Sequence, residues 1–255
     1  MIQTREDFER YPWDTLCDRY FSAFAPDFKA LRETMPAGMK AVGGVGNGVF
    51  ECVQDLVGLE DLCYMRVDDE ELYRDMFAKV GDVLLEIWEQ FLQEFGDVYC
   101  VCRFGDDLGF RSATLLHVDD VRGLIVPQYK RVVDAVHRQG KPFLLHSCGC
   151  IFDVMDDLIS TAGIDAKHSN EDAIAPYQVW IERYGDRIGN FGGLDTDALC
   201  DVNPCDIVEY TTAVYRVCEQ KGHGIAIGSG NSIPDYVSPR KYVKAVETLR
   251  RLRGE

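Results

Sequence analysis

A chain of 255 residues, 46% hydrophobic and 27% charged, can bury a full core, which argues against a disordered or fibrous protein. Its formal net charge of −16, with no basic stretch to offset it, argues against nucleic acid and anionic membrane surfaces as partners. No apolar run approaches the roughly 20 residues of a membrane span, and MIQTREDFERYPWD does not read as a signal peptide; the ten cysteines are therefore expected to be reduced thiols in a cytoplasmic protein.

In chain order, residues 4–38 read as helix and loop. A strand-like run follows at MKAVGGV (39–45), then a helix over 69–95 with acids in its first turn and apolar residues at three- and four-residue spacing. Strand-like and helical segments then alternate: strand 97–105, helix 119–139, strand 142–148, helix 151–161, strand 163–169, helix 175–184, strand 187–195, helix 204–221, strand 224–231 and helix 239–252. Pro204 and Pro239 sit where a first helical turn accepts proline. This alternation predicts an α/β fold with a parallel sheet, covered on both faces or closed into a barrel. No linker interrupts it, so residues 1–255 are expected to form one domain, a helical segment 1–38 and six βα units over 39–255. The run GGVGNG (43–48) lacks the spacing of a dinucleotide loop.

The strand ends are chemically richer than the strand starts: Gly-Asp-Asp-Leu-Gly (105–109), His-Ser-Cys-Gly (146–149), Lys-His-Ser-Asn-Glu-Asp (167–172), Gly-Gly-Leu-Asp (192–195) and Gly-Ser-Gly-Asn-Ser (228–232). Ligands of α/β folds bind at the carboxyl ends of the strands, which predicts a shared active face there. Residues two apart on a strand face the same side, so His146 and Cys148 can point together, a pairing suited to zinc (Zn) and also readable as a packed thiol beside a hydrogen-bonded histidine. Glu171 and His168 are candidates to complete a metal site, Glu171 being favoured, with Cys150 behind both. Of the adjacent carboxylates Asp106 and Asp107, only one can enter the site; Asp106 is favoured as the catalytic or orienting group, leaving Asp107 to contact substrate or cap the next segment. Asp195, after two glycines, reads as a second catalytic or binding carboxylate. Asn231 and Ser232 read as a turn that holds an anionic substrate group or as a plain glycine-rich turn. His117, His137 and His223 are given no role.

Five motifs in this order, GDDLGF (105–110), GKPFLLHSCG (140–149), GIDAKHSNED (163–172), YGDRIGNFGGLD (184–195) and GSGNSIPDYVSPRKYVKAV (228–246), make the chain resemble the uroporphyrinogen decarboxylase superfamily, in particular its corrinoid-linked methyltransferase-like branch of anaerobes. The resemblance implies a (β/α)8 TIM barrel in which the six strands correspond to the third to eighth, the first two being absent. It also implies zinc held by a His-x-Cys pair, matched here by His146 and Cys148, with a distant cysteine near the last strand, where this chain reads GSGNS. The arginine-rich loop and aspartate by which the decarboxylases handle porphyrinogen have no counterpart. The expected function is therefore a zinc-dependent methyl transfer between a small methoxyl or methylamine donor, or a thiol or folate acceptor, and a corrinoid carried by a partner protein. The alternatives are a non-catalytic relative acting as a binding module, and a decarboxylase of the uroporphyrinogen type. An open barrel exposes two strand edges, which predicts cover by the aromatic N-terminal segment or by a second copy in a homodimer.

Overall fold

Six parallel strands line up in chain order in one sheet that does not close, as a computed structural model describing residues 1–221 and 224–255 shows. His223 lies outside the described residues. Two compact units divide the chain, one of Met1–Asp107, Leu116–Leu145 and Asp153–Ile164, the other of Leu108–Leu115, His146–Phe152 and Asp165–Glu255. Among the described residues no helix is long and apolar enough to cross a membrane.

The first unit opens with α1 (Arg5–Arg10), held by a reciprocal cap between Thr4 and Asp7, and α2 (Leu16–Thr34). Strand β1 (Ala41–Asn47) follows, then α3 (Val49–Val57), α4 (Leu59–Asp68) and α5 (Glu70–Phe95). The sequence pattern leaves α3 and α4 unassigned: Gly58, at φ +96°, breaks them into two short helices whose apolar spacing never runs long enough to stand out. Helix α5 buries Leu72, Met76, Val80, Leu84, Ile87, Phe91 and Phe95 along one stripe, and Asp69 caps it by accepting from Leu72 N–H at 2.9 Å. Trp88 sets the core of this unit, its ring 5.4 Å from Phe91, 6.4 Å from Phe104 and 6.0 Å from Phe143. Strand β2 (Tyr99–Gly105) pairs with β1, with register shifts between Ala41 and Val42 and between Gly43 and Gly46.

The N-terminal segment meets β1 at Val45, while Val42 of the same strand stays 51% exposed. Tyr20 donates its hydroxyl to the Val45 carbonyl at 2.7 Å, satisfying an acceptor on the first strand of the sheet. Phe28 meets Phe91 at 5.2 Å and Phe95 at 5.1 Å. A cavity of about 530 Å³ remains between α2, β1, α3 and α5, lined by Tyr11, Trp13, Tyr20, Phe24, Val45 and Leu84 among others. The unit is completed by α6 (Val118–Asp120), a wider turn over Val121–Ile125, α7 (Val126–Arg138), β3 (Phe143–His146) up to Leu145, and α8 (Met155–Asp157) with a second wide turn over Leu158–Ala162.

The second unit carries β4 (Ala166–His168), α9 (Tyr177–Tyr184), β5 (Gly189–Leu194), α10 (Ile207–Lys221), β6 (Ile225–Ser229) and α11 (Pro239–Arg253). Helix α10 starts three residues after Pro204; the cap is Asp206, whose carboxylate accepts from Val208 and Glu209 N–H at 2.9 and 3.2 Å, so the proline lies in the preceding loop. Pro239 does open α11, capped by Ser238. Leu194, Leu199, Ile207, Val237 and Ala245 form the buried centre between sheet and helices. Lys241 ties the loop before α10 by donating to the carbonyls of Ala198, Cys200 and Asn203 at 3.3, 2.8 and 2.6 Å. On β4 the buried Lys167 points toward α9, its ammonium 3.8 Å from the Trp180 ring centre, so its neighbours Ala166 and His168 take the other face.

Candidate metal centre at the end of the third strand

Strand β3 is buried throughout and ends at His146, itself 9% exposed. The chain then runs through buried Ser147, whose backbone N–H donates to the His168 carbonyl at 2.7 Å and whose hydroxyl accepts from Leu108 N–H at 3.2 Å. These bonds carry the extended geometry one step past the strand, and the two-residue period brings Cys148 Sγ to 3.4 Å from His146 Nε2. The loop is locked against its neighbour: Gly109 N–H donates to the Cys148 carbonyl at 3.2 Å and Cys150 N–H to the Phe110 carbonyl at 2.6 Å.

Further donors converge on the sulfur. Asn231 Nδ2 lies 3.2 Å and Ser169 Oγ 3.4 Å from Cys148 Sγ. Both are placed by strand ends: Ser169 follows β4, and Asn231 follows β6 with its Oδ1 accepting from Ser232 N–H at 2.7 Å. Ser232 itself is exposed.

The remaining expected residues take different places. His168 stands behind His146, not beside Cys148: the two rings meet Nδ1 to Nδ1 at 2.7 Å, and His168 Nε2 faces the Ser229 carbonyl at 3.1 Å. Glu171 starts a turn in which its carbonyl accepts from Ile174 and Ala175 N–H at 3.0 and 3.1 Å, and among the described residues its carboxylate does not gather with His146 and Cys148. Asp106 is fully buried with its carboxylate engaged in packing: Oδ2 accepts from Phe50 N–H at 2.9 Å and from the Tyr129 hydroxyl at 2.6 Å, and Oδ1 from Glu51 N–H at 2.7 Å. It caps α3, and a Cβ on Gly48 would lie 2.5 Å from Oδ2, so the glycine before the helix leaves room for the cap. Burial lifts its carboxyl to about 7, against the pull of Tyr129 and the two N–H donors.

Asp195 is likewise drawn into its own loop, accepting from Asp172 N–H at 2.6 Å and Asp197 N–H at 2.7 Å. Asp172, raised by burial, accepts the Tyr210 hydroxyl at 2.7 Å. Asp107 is the last residue of the segment Met1–Asp107 of the first unit. Sequence reasoning missed Ser169 and Asn170. Asn170 Oδ1 accepts from Gly193 N–H at 2.7 Å, and a Cβ on Gly230 would meet the Asn170 carbonyl at 2.5 Å. Gly230 therefore admits this loop.

An imidazole nitrogen and a thiol are the donor types zinc prefers. With Zn–N about 2.0 Å and Zn–S about 2.3 Å at the tetrahedral angle, two such donors stand about 3.5 Å apart. The observed 3.4 Å between His146 Nε2 and Cys148 Sγ fits that edge.

Residues 1–252 match the family model described as uroporphyrinogen decarboxylase (URO-D). No protein of curated function matches the chain. Among solved structures, a methyltransferase from Methanosarcina mazei is similar with a TM-score of 0.70 at 17% identity, over 89% of this chain and 63% of that one. A Listeria monocytogenes protein assigned as a vitamin-B12-independent methionine synthase matches with a TM-score of 0.54 at 13% identity, over 91% and 69% of the two chains. The 3-keto-D-glucoside 4-epimerase of E. coli matches with a TM-score of 0.50 at 12% identity, over 92% and 87%. At such identities the likeness is one of fold. The chain spans 63% of the length of the Methanosarcina protein.

Proposed function

The chain belongs to the uroporphyrinogen decarboxylase family, and on that premise we propose a methyltransferase-like enzyme that holds zinc at His146 and Cys148. It moves a methyl group between a small donor or acceptor and a corrinoid on a separate protein. The observation that carries this reading is the 3.4 Å between His146 Nε2 and Cys148 Sγ. Glu171 and His168 are set aside as ligands, because among the described residues neither gathers with both His146 and Cys148. Where the resemblance implies a third thiol, this chain brings the Asn231 amide to the sulfur.

A bound zinc supplies Lewis acidity, polarising a methoxyl oxygen or an amine leaving group, or favouring the thiolate of an acceptor thiol. The protein's own part is orientation. Asn231 and Ser169 aim N–H and O–H groups at Cys148, which suits a thiolate ligand, and the bonds of Gly109 and Ser147 hold the loop still. Ser232, exposed beside Asn231, is the proposed contact for the substrate's polar end.

Protein purified without chelator should carry close to one zinc per chain, and Cys148→Ser should remove most of it. Zinc-loaded protein should then demethylate methylcobalamin with a thiol acceptor, read as the corrinoid's absorbance change. Zinc content unaffected by Cys148→Ser overturns the site, and zinc-loaded protein inert toward every donor and acceptor class named here overturns the reaction. The second reading, a binding module, draws support from Asp106 and Asp195, whose carboxylates accept backbone N–H groups. A homodimer pairing along β6, the last strand in the sheet order, is the assembly proposed; sedimentation tests it.

A further inference from the structure

Two histidine rings and a backbone carbonyl form a chain of hydrogen bonds that runs in one direction. At its far end the Ser229 carbonyl, 3.1 Å from His168 Nε2, can only accept, so His168 carries a proton on Nε2. A neutral His168 then presents a lone pair at Nδ1. His146 Nδ1, 2.7 Å away, must donate into it. That leaves the lone pair of His146 on Nε2, the nitrogen 3.4 Å from Cys148 Sγ.

Resting on the metal reading above, we infer that His168, keyed by the Ser229 carbonyl, is a positioning residue that holds His146 as its Nδ1–H tautomer, so that the nitrogen facing Cys148 is the one able to take a metal. The proton on one imidazole nitrogen is set by the hydrogen bond that nitrogen makes, and the other nitrogen ligates. Histidine in water prefers the opposite tautomer, with its proton on Nε2, so a free His146 would aim an N–H at the metal position. Strand geometry supplies the placement. His146 ends β3, His168 ends β4, and the Ser147 N–H to His168 carbonyl bond of 2.7 Å fixes the register between the two strand ends. Metal-binding histidines commonly lean on a carboxylate. Here the support is a second imidazole that itself ends on a backbone carbonyl.

The alternative is the opposite direction of bonding along the same two rings. With a cationic His168, Nδ1 would donate, His146 would carry its proton on Nε2, and that N–H would point at the sulfur. The two states exclude each other.

Long-range proton–nitrogen correlation spectra of the full-length, metal-free protein, recorded about two units above the ordinary histidine value, separate them. The expected result is His146 with its proton on Nδ1 and His168 with its proton on Nε2. His168→Phe should return His146 to the Nε2–H form and weaken zinc binding roughly 10- to 100-fold. His168→Gln, whose amide carries an acceptor and a donor at similar spacing, should recover most of that loss, a rescue that simple packing of a ring would not give. Wild-type protein with His146 protonated on Nε2 overturns the inference, as does an unchanged tautomer and zinc affinity in His168→Phe. The expected tautomers in a protein that takes up no zinc uphold the positioning role and overturn the metal reading instead. If His168→Phe does not fold, the wild-type spectrum alone decides.

Discussion

Gly109 and Gly149 meet backbone to backbone: a Cβ on Gly149 would lie 2.1 Å from the carbonyl carbon of Gly109. Gly149 also sits at φ +79°, where a side chain is strained. Gly149→Ala therefore combines a backbone penalty with a clash that only loop movement relieves, a cost of about 3 kcal/mol. Gly140 has a similar φ of +67° and open space around it, so Gly140→Ala should cost about 1 kcal/mol. Urea unfolding of the two variants measures the difference. Gly149→Ala should also lose zinc, because Cys148 rides on the displaced loop.

Asp106 gives a pH signature. Burial raises its carboxyl from the ordinary aspartate range to about 7. A group bound more tightly to its proton in the folded state adds stability below its unfolded value and loses it as pH rises through the folded one. Its contribution should therefore fall between about pH 4 and 7. Asp106→Asn cannot ionise, so its melting temperature should fall less steeply than that of wild type over this window. The variant should be less stable at every pH, because an amide cannot accept all three donors that Phe50, Glu51 and Tyr129 supply. Parallel melting curves would refute the assignment.

The N-terminal segment should contribute to stability through two separable contacts. Tyr20→Phe removes the hydroxyl bond to the Val45 carbonyl and should cost about 1 kcal/mol. Phe28→Ala removes a half-buried ring packed on Phe91 and Phe95 and should cost about 2 kcal/mol. Denaturant titrations of both variants check this, and stability equal to wild type in each would mean that α2 adds nothing to the stability of the first unit.

Lys241→Met keeps the aliphatic stem and removes the ammonium from three carbonyls, those of Ala198, Cys200 and Asn203. The expected cost is about 2 kcal/mol, with loosening concentrated before α10. Faster amide exchange at Asn203 and Cys205, with the N-terminal unit unchanged, is the outcome to look for by hydrogen exchange.

Local periodicity determined much of this protein. The six strands and the long α5 follow from apolar spacing, and the pairing of His146 with Cys148 follows from the two-residue period of an extended chain. Ser238 and Pro239 mark the start of α11 for the same local reasons. What the spacing leaves open is which face a strand-end residue takes and what it meets there. Asp106 and Asp107 were bound to diverge, yet only the register of β2 against α3 decided that Asp106 would cap that helix. His168 and Glu171 are near neighbours in the chain, but the parallel placement of β3 and β4 sends His168 to the back of His146, while Glu171 begins a turn. Asn231 reaches the Cys148 sulfur across 83 positions, a contact that no local pattern encodes. Backbone period is a property of neighbouring residues, whereas the partner of a side chain at a strand end is set by packing between strands distant in sequence, and that information exists only once the chain has folded.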